Sequence, residues 1–221
     1  MPVPDLVIFD CDGVLVDSEM LASTVLSGFL SEFGCNISAS DCRRFFTGIS
    51  IAAVEEKVRT QFGTSLPENF EDQLRQRDTT VFESELVAIE GIRDVLETID
   101  LPVCVASSGS PEKIRNSLRI TGLASYFGNH LFSAAQVARG KPAPDLFLLA
   151  ALEMGADTSR TCVIEDSVPG IRAGLAAGMR VLGFTGGAHA RDDIAYKSGL
   201  KDAGAHHVFD RMHALPGLLS L

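Results

Sequence analysis

Leu6-Val7-Ile8-Phe9-Asp10-Cys11-Asp12-Gly13 is the stretch that decides the fold. Its four apolar residues run without a polar interruption and stop abruptly at a carboxylate. A strand with one wet face alternates apolar with polar, whereas a strand covered on both faces reads as a continuous apolar run. The stretch therefore predicts an interior strand of a parallel sheet, with Asp10 and Asp12 at or just past its carboxyl end. Similar runs recur at 102–106, ending in Ser107, and at 161–164, ending in Glu165-Asp166. Others lie at 179–183 and 207–209, with a short one at 130–133. Helical patterns fill the gaps, for instance 111–120 and 144–154. Strands alternating with helices predict an α/β fold, a doubly wound, Rossmann-like parallel sheet.

Residues 17–87 break the alternation and hold no convincing strand. They read as four helices, near 19–33, 40–46, 51–62 and 67–84, punctuated by Gly34, Gly48, Gly63 and Pro67. The expected organisation is an α/β core made of 1–16 and 88–221, with a small helical cap at 17–87 inserted after the first strand. The length agrees: 221 residues at about 150 per domain make about one and a half domains.

Composition narrows the function classes. The chain is 46% hydrophobic and 22% charged, with a net charge of −10, ordinary for a globular protein apart from its acidity. An acidic surface repels phosphate backbones, so no nucleic-acid partner is expected, and a site for a phosphorylated small molecule needs a local cation. Five cysteines without regular spacing read as reduced thiols in a cytoplasmic setting. The first residues lack the features of a signal peptide, and no apolar run approaches the roughly 18 residues of a membrane span. No membrane partner is expected.

Ligands of open α/β sheets bind outside the carboxyl ends of the strands. Asp10, Asp12, Ser107, Glu165 and Asp166 all sit at such ends, and Lys141 lies in the loop Gly140-Lys141-Pro142-Ala143-Pro144-Asp145. Carboxylates gathered without counter-charge repel one another and raise each other's pKa. A hard divalent cation resolves this, and Mg²⁺ commonly binds through one or two carboxylates plus substrate phosphate. Beside such an ion an aspartate can attack a phosphate dianion. Lys141 adds positive charge, and the hydroxyl of Ser107 with neighbouring amides can hold phosphoryl oxygens.

The segment Asp10-Cys11-Asp12-Gly13-Val14-Leu15-Val16-Asp17-Ser18 resembles the first motif of the haloacid dehalogenase-like phosphohydrolases. Ser107-Ser108-Gly109 resembles their second motif, Lys141-Pro142-Ala143-Pro144-Asp145 the third, and Glu165-Asp166-Ser167 with Pro169-Gly170-Ile171 the fourth. The helical insert is similar to the cap of the branch holding β-phosphoglucomutase and many sugar-phosphate phosphatases. Within that branch, Phe82-Glu83-Ser84-Glu85-Leu86 followed by Ala88-Ile89-Glu90-Gly91 is similar to bacterial 6-phosphogluconate phosphatases. The resemblance implies a Mg²⁺-dependent phosphatase of a small phosphorylated metabolite, a monomer or weak dimer. It implies that Asp10 is the nucleophile and Asp12 the acid and base, and that Ser107, Ser108, Gly109 and Lys141 bind the phosphoryl group. It further implies that Asp10, the Asp12 carbonyl and Asp166 ligate the metal, with Glu165 a ligand or an orienter of its waters.

Plainer readings compete. An EF-hand loop counted from Asp10 would put Val14 and Leu21 where oxygen ligands belong, and a P-loop ending at Lys141 would need Ser or Thr at Pro142. No G-x-S-x-G elbow frames Ser107. Ser107 taken alone reads as a helix cap or turn residue, Lys141 as a surface lysine, and Asp145 as a cap or a brace for the Lys141 loop. Asp166 or Ser167 is expected to cap the helix at Pro169. Gly170, Gly174 and Gly178 read as helix–sheet packing and a helix stop. The five histidines match no motif and read as structural or surface residues; Cys11 reads as a core residue.

Among related activities, a phosphomutase would place a histidine at Ala22 and basic residues around Gly48, where Thr47 and Ile51 stand. A dehalogenase would not need Asp12, and a non-catalytic sugar-phosphate sensor would not need the full set of residues. The cap loop Thr47-Gly48-Ile49-Ser50, with Arg43 and Arg44 nearby, is expected to select the substrate. Hinges are expected near 16–17 and 87–88.

Overall fold

In the computed structural model, which describes residues 3–46, 51–191 and 193–220, the sheet is built outward from its first strand. β1 (Leu6–Phe9), β2 (Val103–Ser107), β3 (Leu131–Ser133), β4 (Thr161–Glu165), β5 (Arg180–Phe184) and β6 (His207–Phe209) pair in the order β3-β2-β1-β4-β5-β6, all parallel. The chain therefore starts mid-sheet, walks out through β2 and β3, then restarts on the other side at β4. Phe9 pairs with Val105 on one flank and with Ile164 on the other. The carboxyl ends of β1, β2 and β4 thus lie side by side, at the reversal of strand order where such sheets bind ligands.

The unbroken apolar run of β1 has its reason here. Leu6 and Ile8 join one buried cluster with Val163, Val181, Leu146, Phe147 and Ile171. Phe9 instead meets the Phe127 ring edge-on at 6.2 Å. Successive side chains of a strand point to opposite faces, so a strand covered by helices on both has no polar position. Complete burial of each such side chain contributes about 1.5–3 kcal/mol before the entropy of ordering is set against it.

Between β1 and β2 run α1 (Glu19–Ser31), α2 (Ala39–Phe46), α3 (Ile51–Phe62) and α4 (Phe70–Glu85). The remaining helices are α5 (Ile92–Thr98), α6 (Pro111–Ile120), α7 (Ala124–Phe127), α8 (Asp145–Glu153), α9 (Val168–Ala176), α10 (Ile194–Asp202) and α11 (Leu215–Leu219). The chain forms two compact units, Met1–Asp17 with Val87–Leu221, and Ser18–Leu86. The helical unit has its own core, including Phe29, Leu30, Ile37, Val58 and Phe70. There Phe29 and Phe70 stack at 4.7 Å, and the Arg77 guanidinium lies 4.0 Å over the Phe29 ring while bonding both oxygens of Glu32.

Several boundaries differ from the sequence reading. α4 starts at Phe70 and not near 67, because Phe70 N–H closes a turn onto the Pro67 carbonyl at 2.9 Å. α1 stops at Ser31, and a turn carries the chain to Gly34, whose φ of +82° ends the helix. The glycines four apart divide by role. A Cβ on Gly174 would stand 2.6 Å from Val181, so it does permit helix–sheet packing, and Gly178 has the positive φ of a helix stop. A Cβ on Gly170 would stand 1.7 Å from a carboxylate oxygen of Glu165, so that position makes room for a functional side chain instead.

Candidate active site

Asp10 continues β1 by one residue, its N–H donating to the Ile164 carbonyl at 2.9 Å. The chain then turns sharply, with Gly13 N–H bonded to the Val16 carbonyl and Leu15 N–H to that of Cys11. Gly13 adopts φ +76°, and a Cβ there would lie 2.0 Å from Asp166 Oδ2. Glycine is required twice over, by backbone conformation and by the closeness of that carboxylate.

Lys141 brings the strand ends together. Its Nζ donates to Asp10 Oδ1 at 2.6 Å, Glu165 Oε1 at 2.7 Å and the Ala106 carbonyl at 3.0 Å. It also lies 4.9 Å from the Phe147 ring centroid, and its side chain is 4% exposed. The reading of Lys141 as a surface residue fails on that burial. Glu165 has both oxygens engaged, because Oε2 accepts from the backbone N–H and the hydroxyl of Ser167 at 2.8 and 2.9 Å. Ser167 is also the N-cap of α9, accepting from Gly170 N–H.

Ser107 is buried, and its Oγ accepts from Gly109 N–H at 3.1 Å. Ser133, its partner across the β2–β3 pair, donates to the Gly109 carbonyl at 2.6 Å and so shapes the same loop. Ser107 does not cap α6; Ser110 does. Ser108 is exposed in the same turn. Asp145 is no cap either, since it is the first residue of α8 and pairs with Arg139, bracing the loop that carries Lys141. Arg43 and Arg44 lie on α2 in the helical unit, Arg44 stacked on Phe45. Thr47, Gly48, Ile49 and Ser50 lie outside the described residues.

Two partners escaped the sequence reading. Lys113, in the first turn of α6, puts Nζ 2.9 Å from Asp12 Oδ2. Its trace was legible: a cation at a helix N-terminus opposes the helix dipole, so it belongs where a carboxylate compensates it. His189 is not a surface residue but 3% exposed, with Nε2 2.9 Å from Asp166 Oδ2.

Burial dominates the electrostatics. It raises the Asp10 carboxyl well above its ordinary value, Lys141 opposing and Glu165, Asp166 and Asp12 reinforcing. Asp166 is raised well above its ordinary value by burial and by Glu165, again against Lys141. Burial alone would lower the pKa of Lys141, yet Asp10 and Glu165 outweigh it and hold the ammonium above its usual range. Cys11 is also raised well above its usual range by burial, reinforced by Asp12 and Asp10, which makes it a core residue and not a nucleophile.

The donor set bears on a metal. Four carboxylates, Asp10, Asp12, Glu165 and Asp166, face two lysines, Lys113 and Lys141, so with His189 neutral the cluster lacks two positive charges. Among the described residues no group of three or more His, Cys, Asp or Glu side chains is arranged to hold an ion. Carboxylates in excess of their counter-charges suit Mg²⁺, which takes one or two carboxylates, keeps water and leaves room for phosphate.

Residues 4–178 match the family model described as haloacid dehalogenase-like hydrolase. The chain is 33% identical over 186 residues, 84% of each chain, to 6-phosphogluconate phosphatase of Escherichia coli. A conserved haloacid dehalogenase-like protein of unknown function from Agrobacterium tumefaciens superposes with a TM-score of 0.88 at 37% identity, over 98% of this chain and 97% of that one. A family hydrolase from Deinococcus radiodurans, solved with bound phosphate and sodium, superposes with a TM-score of 0.84 at 32% identity, over 100% and 96%.

Proposed function

This chain belongs to the haloacid dehalogenase-like hydrolases, and from that premise we propose that it is a Mg²⁺-dependent phosphatase of a small phosphorylated metabolite, working through an aspartyl phosphate on Asp10. The observation that carries the reading is the buried ammonium of Lys141, which grips Asp10 at 2.6 Å and Glu165 at 2.7 Å across two strand ends. A carboxylate so placed is fixed in orientation and partly neutralised, which favours approach to a phosphate dianion.

The chain's residues divide the work. An Asp10 oxygen forms the bond to phosphorus as the ester P–O bond breaks, and the departing alkoxide takes a proton from Asp12. Asp12 then removes a proton from water, whose oxygen attacks the aspartyl phosphate, releasing inorganic phosphate and restoring Asp10. Lys113, 2.9 Å from Asp12, holds that carboxylate in place between the two steps. Lys141, the Ser107 hydroxyl and the amides of Ser108 and Gly109 bind phosphoryl oxygens. The Asp10 and Asp166 carboxylates and the Asp12 carbonyl would hold Mg²⁺, which when bound offsets the repulsion between carboxylate and phosphate. Glu165, with both oxygens occupied, anchors Lys141.

The helical unit, Ser18–Leu86, is assigned to substrate selection. Similarity to a 6-phosphogluconate phosphatase supports a sugar phosphate or sugar-acid phosphate as substrate. The free, buried cysteines suit the reducing cytoplasm. Among the described residues no helix is long and apolar enough to cross a membrane.

A panel of phosphorylated sugars and sugar acids, read by phosphate release with and without Mg²⁺, tests the reading. Turnover should require the metal, and Asp10→Asn should abolish both turnover and the acid-labile phosphoenzyme. Undiminished turnover in Asp10→Asn would remove the nucleophile assignment.

A further inference from the structure

A turn that offers backbone amides to phosphoryl oxygens has to be stiff, yet the one that follows β2, Ser107-Ser108-Gly109-Ser110, is built around a glycine. Glycine loses more conformational freedom on ordering than any other residue, and a turn ordered only by its ligand weakens binding by that cost. Here the protein itself holds the turn on both sides of Gly109. The Gly109 N–H donates to Ser107 Oγ at 3.1 Å, and the Gly109 carbonyl accepts from the hydroxyl of Ser133 at 2.6 Å. Ser133 is the last residue of β3, is 1% exposed, and stands opposite Ser107 in the β2–β3 register. Its Oγ accepts from Ala135 N–H at 3.2 Å, and its own N–H donates to Gln136 Oε1 at 2.7 Å, a reciprocal cap on the short turn Ala134–Gln136. A carbonyl can only accept, so the hydroxyl proton lies toward Gly109. The peptide group is planar, and fixing its oxygen fixes the plane that joins Gly109 to Ser110. Ser110 in turn caps α6, its Oγ accepting from Lys113 N–H at 3.2 Å.

We propose that Ser133 is a positioning residue for the phosphoryl group: through the Gly109 carbonyl, its hydroxyl holds the turn of Ser107, Ser108 and Gly109 in the form that receives phosphate. The inference rests on the reading of that turn as the phosphate site, and Ser133 acts through Gly109 without touching the substrate. Burial alone would be served at this position by alanine or valine, so the serine is distinguished by its hydroxyl. Without that hydroxyl a carbonyl loses its donor, and the glycine regains a freedom that phosphate must then remove.

Titration of the full chain with inorganic phosphate in excess MgCl₂, followed by ³¹P NMR, tests this, with Tm and kcat/KM for p-nitrophenyl phosphate measured alongside. The proteins are wild type, Ser107→Ala, Ser133→Ala and Ser133→Thr. Ser107→Ala should lose most of the wild-type affinity for phosphate; affinity equal to wild type there would overturn the phosphate-site reading itself, a failure distinct from the one tested by Ser133. With that control in place, Ser133→Ala should bind phosphate about 3–10-fold more weakly, the equivalent of one neutral hydrogen bond, and kcat/KM should fall by a similar factor. Ser133→Thr, which keeps the hydroxyl, should recover most of both. A Ser133→Ala protein with a lowered Tm but wild-type phosphate affinity would make the residue structural only and overturn the proposal, as would a Ser133→Thr protein as weak as Ser133→Ala. A measurement free of variants covers the case in which a substitution prevents folding: in the wild-type chain the Gly109 amide should exchange its hydrogen slowly without phosphate and gain little protection when phosphate is added. Exchange as fast as that of an open turn until phosphate is added would overturn it.

Discussion

Replacing Lys141 with methionine removes an ammonium but keeps an unbranched chain of similar length in its slot. The native side chain is 4% exposed and contacts Asp10 and Glu165, themselves 10% and 1% exposed. Its loss leaves two carboxylates without their common counter-ion, and breaking a buried pair in this way costs about 3–5 kcal/mol. For a chain of this length each kcal/mol moves Tm by about 2–4 °C, so the expected fall is about 6–20 °C, measured by calorimetry in EDTA. The deficit should depend on pH. In wild type the Asp10 carboxyl is raised by burial against the pull of Lys141; without the lysine it rises further. A carboxyl raised on folding destabilises the folded state above its unfolded pKa, and the penalty disappears as protonation becomes complete below it. The gap between variant and wild type should therefore widen as the pH rises above the ordinary carboxylate range. Lys141 itself, held above its ordinary range, keeps its stabilising contribution throughout that window and loses it only in strong alkali. Adding Asp10→Asn should restore part of the lost stability, because one of the stranded charges is gone. A Tm within about 2 °C of wild type in EDTA, below the shift expected for 1 kcal/mol, would refute the view that the ammonium balances two buried carboxylates.

Gly13→Ala should lower Mg²⁺ affinity and turnover together, because the new methyl would sit 2.0 Å from Asp166 Oδ2 at a φ of +76°; unchanged metal binding would show that the turn can relax without moving the carboxylate. Ser167→Ala removes the cap of α9 and a donor to Glu165, for an expected loss of about 1–2 kcal/mol in chemical denaturation; an unaltered midpoint would mean that water substitutes for the hydroxyl. Burial pushes the Cys104 and Cys162 thiols up to about 12 and Cys42 up to about 11. A disulfide reagent at about pH 8 should therefore find almost no thiolate at these three positions in the folded protein, yet titrate all five cysteines in denaturant; rapid labelling of Cys42, Cys104 or Cys162 in the native chain would contradict that burial.

The strand ends were legible because a strand buried on both faces announces itself in one dimension. Asp10, Ser107 and Glu165 each follow an apolar run, and the sheet brings those ends together whatever the helices do. Lys141 was legible through its motif, though its burial and its grip on two carboxylates depend on packing between distant segments. Lys113 left a weak trace, a cation in a helix's first turn. His189 left almost none, because its pairing with Asp166 depends on a loop folded against Gly13 from the far side of the chain. Glu165 illustrates a different limit: residue type does not tell that the carboxylate of an acid meets Lys141 through one oxygen and Ser167 through the other. Helix ends missed by a few residues, as at Phe70, reflect local turns that competed with helical periodicity.

The central position of β1 has a consequence for how the protein is made. Asp10 precedes Lys141 by 131 residues, and both flanking strands follow it in the chain. At the roughly 5–20 residues per second of synthesis, several seconds or more separate the emergence of the carboxylate from that of its counter-ion. Throughout that interval an apolar strand with two unpaired edges leaves the ribosome without neighbours, a state prone to association with other chains. The helical segment emerges next, and with a core of its own it can fold while the sheet is still waiting for its middle to be enclosed.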